Sequence, residues 1–236
     1  AKSAVLGLDP YDALIDGYDP GFTCAEIDVI FADLASFLPA FLGQVMEKQD
    51  AALAPVAPEG PFHLDKQRAL SRKLMEQLGF EFEHGRLDES HHPFCGGVPE
   101  DVRITTRYDE ADFASSLMAV LHETCHALYE RGLPGAWRSQ PVGEARSMSL
   151  HESQSLLMEM QVCRGGAFFH FAAPLMRKAF GVADTYPAFA PENLHRLAIR
   201  VKPGFIRVDA DEVTYPAHIM LRYRLEKAMI AGDLRV

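Results

Sequence analysis

The sequence predicts a mainly α-helical fold with one small β-sheet beside its most strongly patterned helix. Apolar residues recur at helical spacing through most of the 236-residue chain, and only a short central stretch alternates between apolar and polar residues. Hydrophobic residues make up 48% of the chain and charged residues 24%, as in ordinary globular proteins. Because the sequence has no internal repeat and no low-complexity segment, we expect a single domain over residues 1–236.

The N-terminal third is predicted to be helical. Thr23 is a suitable N-cap, and Glu26 three residues later completes a capping box. Apolar residues then follow helical spacing as far as Leu42, with Pro39 as a point where the helix can bend. A second helix is expected over residues 65–78, and Gly79 is a natural stop for it.

The central region changes from helical to strand-like patterning. Residues 80–84 alternate between apolar and polar side chains, which predicts a strand, and residues 86–89 are a candidate partner. Residues 91–99 contain proline and a Gly-Gly pair, which predict a loop. Residues 101–108 are rich in β-branched side chains and alternate, so we expect a strand there as well.

The remainder of the chain is again mostly helical. The clearest pattern belongs to residues 109–131, where Asp109 or Asp112 can cap the helix and Gly132 can end it. A short strand is expected over residues 205–208. The other predicted helices cover residues 147–163, 167–180, 191–200 and 213–231.

Charge and composition argue against several classes of partner. The chain has 23 basic and 33 acidic residues, a net charge of −10, and nucleic-acid binding depends on clustered basic residues. No unbroken apolar run approaches the ~18 residues that span a bilayer, and residues 1–10 do not resemble a signal peptide, so no membrane partner is expected. The four cysteines form no C-x-x-C pair, which is typical of free thiols in a cytoplasmic protein.

The strongest chemical signal is an H-E-x-x-H motif inside the clearest helix. His122 and His126 are four residues apart, so both imidazoles lie on one face of a helix and can bind one divalent metal ion. Glu123 lies beside this pair and can act as a general base toward water activated by the metal.

A catalytic zinc site of the His₂Glu type also needs a carboxylate ligand. Glu152 in the next predicted helix is the preferred third ligand, because residues 151–155 form a polar patch. Glu159 is the alternative third ligand. Its apolar neighbours make it more suited to hydrogen-bond a metal ligand or to form a salt bridge. His151 could donate a hydrogen bond to a metal ligand or could simply be exposed, and the sequence favours neither.

Several segments resemble the carboxypeptidase Taq family of metallocarboxypeptidases. HETCHALYERGLP at residues 122–134 is preceded by HPF at 92–94 and DVRITTRYDE at 101–110, and it is followed by HESQS at 151–155. RVDADEVTYPAH at residues 207–218 resembles a later segment of the same family. The similarity runs in order from about residue 9 to residue 234, which is far more specific than the H-E-x-x-H motif alone.

The resemblance implies a helical metallopeptidase fold with a small sheet at a deep groove. It implies a zinc or cobalt enzyme that releases C-terminal residues from peptides and forms a homodimer. By matching position, His122, His126 and Glu152 would be the metal ligands and Glu123 the general base. The chain is about half the usual family length and lacks the late G-x-x-Q-D-x-H-W motif, so part of the groove wall is expected to be missing.

Two other functions stay open beside the carboxypeptidase hypothesis. The chain could be a non-catalytic, metal-binding relative that acts as a peptide- or partner-binding module. It could also be a metal-dependent hydrolase with another substrate, because fold and motif do not fix substrate.

Arg103, His92, His218 and Tyr215 are weaker candidates for substrate contact. Arg103 could bind a terminal carboxylate through its planar guanidinium, or simply pair with Asp101 or Asp109. His92, in the H-P-F motif, could orient substrate or pack its loop. Tyr215 and His218, near the last helix, could face the cleft, although packing is the favoured interpretation for both.

Overall fold

The computed structural model describes residues 1–235, and within them it contains nine α-helices and one three-stranded sheet. The fold class expected from the sequence, mainly α with a small sheet beside the H-E-x-x-H helix, is confirmed. The strands are β1 (Gly85–Glu89), β2 (Phe94–Val98) and β3 (Asp101–Thr106). The helices are α1 (Lys2–Leu6), α2 (Pro10–Ile15), α3 (Cys24–Asp50), α4 (Leu64–Gln77), α5 (Phe113–Gly132), α6 (Met148–Leu156), α7 (Gly166–Phe180), α8 (Pro191–Ala198) and α9 (Tyr215–Ala231).

The described chain divides into two compact units. Residues 1–54 and 199–235 form the first unit, and residues 55–198 form the second. The first unit contains α1, α2, α3 and α9, whereas the second contains the sheet and α4 to α8. A single domain over residues 1–236 stays a prediction.

The first unit is organised around the pair α3 and α9. The predicted capping box starts α3: Glu26 accepts hydrogen bonds from the backbone N–H of Thr23 at 2.9 Å and from its hydroxyl at 2.8 Å. Tyr223 of α9 donates to Asp28 of α3 at 2.8 Å, and Lys227 contacts the other oxygen of that carboxylate at 2.6 Å. The two helices are therefore joined by a polar cluster as well as by apolar packing.

Helix α3 corrects the expectation that no stretch of the chain is long and apolar enough to span a bilayer. Although polar residues interrupt its apolar runs, Asp33 is the one charged residue between Val29 and Met46. By length and composition alone, α3 therefore qualifies as a candidate membrane span, the one such helix among residues 1–235. A single helix of this kind is weak evidence for a membrane, because helices of soluble proteins pass the same test.

The second unit has an aromatic and aliphatic core that fixes α4, α5 and α7. Phe62 lies at its centre, with its ring centroid 4.8 Å from that of Phe113 and 5.0 Å from that of Phe180. Phe189 is fully buried and stacks on Phe113. Helix α5 is therefore anchored in this core by residues of its N-terminal half.

The sheet has the order β1-β3-β2, so β3 is central and β2 is an edge strand. The pairing is parallel between β1 and β3 and antiparallel between β2 and β3. Val102 and Ile104 of β3 are buried and form a second apolar cluster with Val120 and Ala127 of α5. Because Val120 and Ala127 flank the H-E-x-x-H motif, the sheet fixes the rotation of α5 about its axis.

The sequence patterns predicted the helices better than the strands. The helices expected from residue 65 onward correspond to α4 to α9 within a few residues, although the expected helix over 147–163 consists of α6 followed by a π-helical segment, Leu157–Val162. The strand over residues 101–108 is found as β3, and residues 86–89 belong to β1.

Three expectations for the strands were wrong. Residues 80–84 are not a strand: Phe80 is buried, its ring contacts that of Phe82, and Phe82–His84 form a 3₁₀ turn. The expected loop over residues 91–99 contains β2, because β3 supplies backbone partners that the local sequence does not reveal. The expected strand over 205–208 is also absent from the described residues; a 3₁₀ turn, Arg207–Asp209, takes its place.

The conformation of Gly97 in β2 leads to a test of the sheet. Its φ is 113°, in a region that side-chain-bearing residues rarely adopt, and a Cβ there would collide with the backbone oxygen of Asp101. Gly97→Ala should lower the free energy of unfolding by about 1–3 kcal/mol, measured by urea titration. Gly43→Ala, at an open position within α3, is the control and should be neutral or slightly stabilising. Equal stability of the two variants would contradict the assigned geometry.

Candidate metal centre

The two histidines of the motif are presented by α5. Asp112 caps this helix by accepting hydrogen bonds from the backbone N–H groups of Ala114 and Ser115 at 2.9 and 3.3 Å. His122 and His126 lie one turn apart, with ring centroids 4.9 Å from each other. Both are partly buried, so their imidazoles are held at the surface of the second unit without being freely solvated.

Glu152 of α6 faces both imidazoles. One carboxylate oxygen lies 3.2 Å from Nε2 of His126, and the other lies 3.7 Å from Nε2 of His122. One potential ligand atom from each of these three residues lies within 4.8 Å of the others. Neighbouring ligands of a tetrahedral zinc ion are ~3.4 Å apart, so small adjustments would bring this donor set to one ion.

Glu159 lies behind His122, away from the point where the three donor atoms converge. Its Oε2 is 2.9 Å from Nδ1 of His122, and its Oε1 accepts a hydrogen bond from Arg164 at 3.0 Å. Burial would raise the pKa of Glu159, but the hydrogen bonds with His122 and Arg164 outweigh it and lower the pKa. An ionised Glu159 accepts the Nδ1 proton of His122 and leaves Nε2 free to bind a metal ion.

The π-helical segment Leu157–Val162 makes this contact possible. The wider turn of a π-helix changes the direction of the side chains that follow α6. Glu152, in the preceding α6, lies on the Nε2 side of the histidines, whereas Glu159, within the π-helical segment, lies on the Nδ1 side of His122.

His126 has a different partner behind it. Its Nδ1 is 2.6 Å from Nδ1 of His151, and Nε2 of His151 is 2.8 Å from Glu130. His151 is 6% exposed, so of the two positions that the sequence left open, the structure places it behind a candidate ligand and not at the surface.

Glu123 is buried beside the two histidines, and its pKa is shifted in the opposite direction from that of Glu152. Burial is the main reason that the pKa of Glu123 is raised, although the two imidazoles oppose the shift. By contrast, the hydrogen bond with His126 lowers the pKa of Glu152. The two neighbouring carboxyl groups therefore differ in their affinity for a proton, which is higher at Glu123 than in an exposed glutamate and lower at Glu152.

Arg103 and His92 belong to the sheet region. Arg103 is on β3, on the opposite face from the buried Val102 and Ile104, and donates two hydrogen bonds to Asp101, at 2.6 and 3.1 Å. This is one of the two arrangements that the sequence left open for Arg103. His92 is exposed, and its carbonyl accepts a hydrogen bond from Thr105 at 2.8 Å.

Tyr215 and His218 lie in the first unit, on α9, whereas the candidate metal centre lies in the second. The Tyr215 hydroxyl accepts a long hydrogen bond, 3.4 Å, from Arg207, and His218 is partly buried. Their expected position in a cleft stays a prediction.

Sequence reasoning missed Glu130 and Arg164. Glu130 follows His126 by four residues, the spacing of one helical turn, which was an available signal for a partner close to the site. Arg164 follows Glu159 by five residues, a spacing that brings side chains together in a π-helix and not in an α-helix.

Comparison with known proteins identifies the family of this chain. The sequence model of the carboxypeptidase Taq (M32) metallopeptidase family matches residues 1–236. The chain belongs to this family. Its members are metallopeptidases, so the family implies a divalent metal ion, and His122, His126 and Glu152 form the matching cluster within the part of the chain that the structure describes.

Individual relatives carry related names. Carboxypeptidase 1 of Bacillus subtilis is 38% identical over 232 residues, which cover 96% of this chain and 45% of that protein. Thermostable carboxypeptidase 1 of Thermus thermophilus is 39% identical over 228 residues, 95% of this chain and 43% of that protein.

Solved structures of the family resemble the fold closely. Metallocarboxypeptidase 1 of Trypanosoma cruzi is 47% identical, with a TM-score of 0.94 over 99% of this chain and 46% of that one. The carboxypeptidase of Pyrococcus furiosus has a TM-score of 0.87 at 30% identity and is likewise covered to 46%. The chain spans about half the length of the curated relatives it matches.

The contact behind His122 can be tested through stability. Arg164→Met removes the cation that faces the buried Glu159 carboxylate, and we expect the free energy of unfolding to fall by about 2–3 kcal/mol. Arg68→Met is the control, because Arg68 pairs with Asp65 and Glu89 at the surface, where solvent screens the charges and the loss of stability should be much smaller. Denaturant titration of both variants measures the difference, and equal losses would mean that Glu159 does not depend on Arg164.

Proposed function

We propose that this chain carries the metal site of a zinc-dependent carboxypeptidase, which releases C-terminal residues from peptides. The proposal rests on one observation above all, the convergence of His122, His126 and Glu152 in a member of a metallopeptidase family. Cobalt is a plausible substitute for zinc, because both accept nitrogen and oxygen ligands.

The donor set suits zinc in number and chemistry. Two imidazole nitrogens and one carboxylate leave a coordination position open, as in catalytic zinc sites with a His₂Glu ligand set. A divalent ion held there supplies a Lewis acid and makes water acidic enough to lose a proton near neutral pH.

Glu123 is the proposed general base. It directly follows His122 on α5, so the helix turns it about 100° away from the ligand face, and it stays beside the site without binding the ion. Because its pKa is raised by burial, its carboxylate is a better proton acceptor than an exposed glutamate. The same carboxyl group would then protonate the leaving amine.

Arg103 is the proposed contact for the C-terminal carboxylate of the peptide. Its guanidinium is about half exposed, so a peptide carboxylate could replace or share the contact with Asp101. An internal peptide bond would leave that guanidinium without a second anionic partner, which would favour chain ends. His92, which is exposed in the sheet region of the same unit, is proposed as a secondary substrate contact.

A homodimer in the cytoplasm is the proposed state of the protein. Within the described residues, α3 has exposed side chains of Val29, Ile30, Phe37 and Phe41, and exposed apolar surface often marks an interface. All four cysteines are free thiols, in keeping with a reducing compartment. No nucleic-acid or membrane partner is proposed.

The association state can be measured directly. We expect light scattering of the chain at micromolar concentration to give at least twice its 26.2 kDa mass. Phe37→Ser combined with Phe41→Ser should shift the population toward monomer if the apolar face of α3 takes part. A wild-type monomer would remove the dimer proposal.

The catalytic proposal separates metal binding from proton transfer. Glu123→Gln keeps the shape of the side chain but removes the basic carboxylate, so hydrolysis of a short peptide should fall by ~10² or more while zinc affinity changes little. His126→Ala removes a ligand and should abolish both zinc binding and hydrolysis. Zinc content and release of single C-terminal residues are the two measurements.

The outcomes distinguish the parts of the proposal. A fully active Glu123→Gln variant that still holds zinc would rule out Glu123 as the base. Zinc binding without any hydrolysis by the wild-type chain would leave a metal site but no carboxypeptidase in this chain. Release of internal fragments would point to a different peptidase specificity.

A further inference from the structure

The histidine that precedes Glu152 is directed toward the other side of the same site. Glu152 faces the Nε2 atoms of His122 and His126, whereas His151 faces Nδ1 of His126 at 2.6 Å. His151 is also buried, with a 2.8 Å contact from its Nε2 to Glu130. The three groups therefore form a continuous hydrogen-bonded chain from Glu130 through His151 to His126.

We propose that Glu130 and His151 form a relay that fixes the tautomer and orientation of His126, and thereby sets how tightly the chain holds its metal ion. The inference rests on the proposed function only in taking His126 as a metal ligand. Glu130 and His151 are positioning residues, since both act through His126.

The direction of the hydrogen bonds follows from the chemistry of the groups. The ionised carboxylate of Glu130 can only accept, so Nε2 of His151 carries the proton. In neutral His151 the other nitrogen, Nδ1, is then an acceptor, and it receives the Nδ1 proton of His126. With Nδ1 of His126 committed to His151, Nε2 is the nitrogen that remains for a metal ion, on the side that faces Glu152.

The two candidate histidine ligands thus have different hydrogen-bond partners at Nδ1. His122 contacts a carboxylate directly, and that carboxylate is paired with Arg164. His126 contacts the imidazole of His151, and His151 in turn contacts the carboxylate of Glu130. Loss of a partner of this kind typically reduces metal affinity by ~10–100-fold.

A simpler role for His151 is packing. The centroid of its ring lies 4.7 Å from that of His126 and 4.4 Å from that of Tyr129, so the side chain could simply fill space between them. Two substitutions separate these roles. His151→Leu keeps most of the volume but offers no acceptor, whereas His151→Asn loses volume but places an amide oxygen near the position of Nδ1.

The experiment measures Co²⁺ and Zn²⁺ affinity by competition with a chelator, together with the unfolding of the metal-free variants. We expect His151→Leu to weaken binding by ~10–100-fold and His151→Asn to retain affinity within a few-fold of wild type. The relay is overturned if His151→Leu binds like the wild type, or if His151→Asn loses as much affinity as His151→Leu.

Glu130 provides a second pair of variants in case a buried substitution prevents folding. The Glu130 side chain is 31% exposed, so changes there are better tolerated. Glu130→Gln keeps an acceptor for His151 and should bind metal more tightly than Glu130→Leu; equal affinity of the two would overturn the relay. NMR of the ring nitrogens should also show a proton on Nδ1 of His126 in the wild type, and a bare Nδ1 would contradict the assignment.

Failure of the relay can be told apart from failure of the proposed function. If the wild type binds metal but hydrolyses no peptide, the carboxypeptidase proposal fails while the affinities still decide the relay. If the wild type is active and His151→Leu retains full affinity, the relay alone fails. If the wild type binds neither ion, the metal site and the relay fall together.

Discussion

Four carboxylates gather around the two imidazoles of α5, and this concentration of negative charge is the constraint to which the rest of the site responds. Glu159 is balanced by Arg164, and Glu130 keeps partial access to solvent. Burial of Glu123 raises its pKa, whereas the pKa of Glu152 is lowered by its hydrogen bond with His126. A divalent cation between the imidazoles and Glu152 would relieve most of the remaining repulsion.

The surrounding fold keeps these charged groups at fixed positions. Core residues contact the first half of α5, and the sheet packs against the helix through Val120 and Ala127. The edge position of β2 places Cys95 close enough to Glu123 and Glu130 that their charges help to raise the pKa of its thiol, although burial is the larger cause. Helix, sheet and carboxylates are thus parts of one packed arrangement within the second unit.

Much of this arrangement could be predicted because its signals are local. The spacing of His122 and His126 needs only one helix, and the helix is marked by its own apolar stripe and by a cap at Asp112. Glu152 could be preferred to Glu159 because its polar neighbours differ from the apolar neighbours of Glu159. Each of these inferences depends on residues within a few turns of one another.

The features that sequence reasoning missed depend on contacts between distant segments. The strand at Phe94–Val98 exists because β3 pairs with it, and its Gly-Gly pair locally favours a loop. The contact of Glu130 with His151 becomes visible only when α5 and α6 are placed together, and that of Arg164 with Glu159 only when the π-helical segment is known. The alternation of residues 80–84 was misleading because Phe80 and Phe82 pack on each other without forming a strand.

The π-helical segment also makes the length of this region as important as its composition. Deleting one residue ahead of Glu159 in the 157–162 segment would favour an ordinary α-helical turn and change the direction of Glu159 relative to α6. Glu159 would then lose its direction toward His122 even with every side chain at the site unchanged. Within this stretch, insertions and deletions are therefore expected to be more damaging than substitutions, so homologous chains should vary in residue type here while keeping the same number of residues.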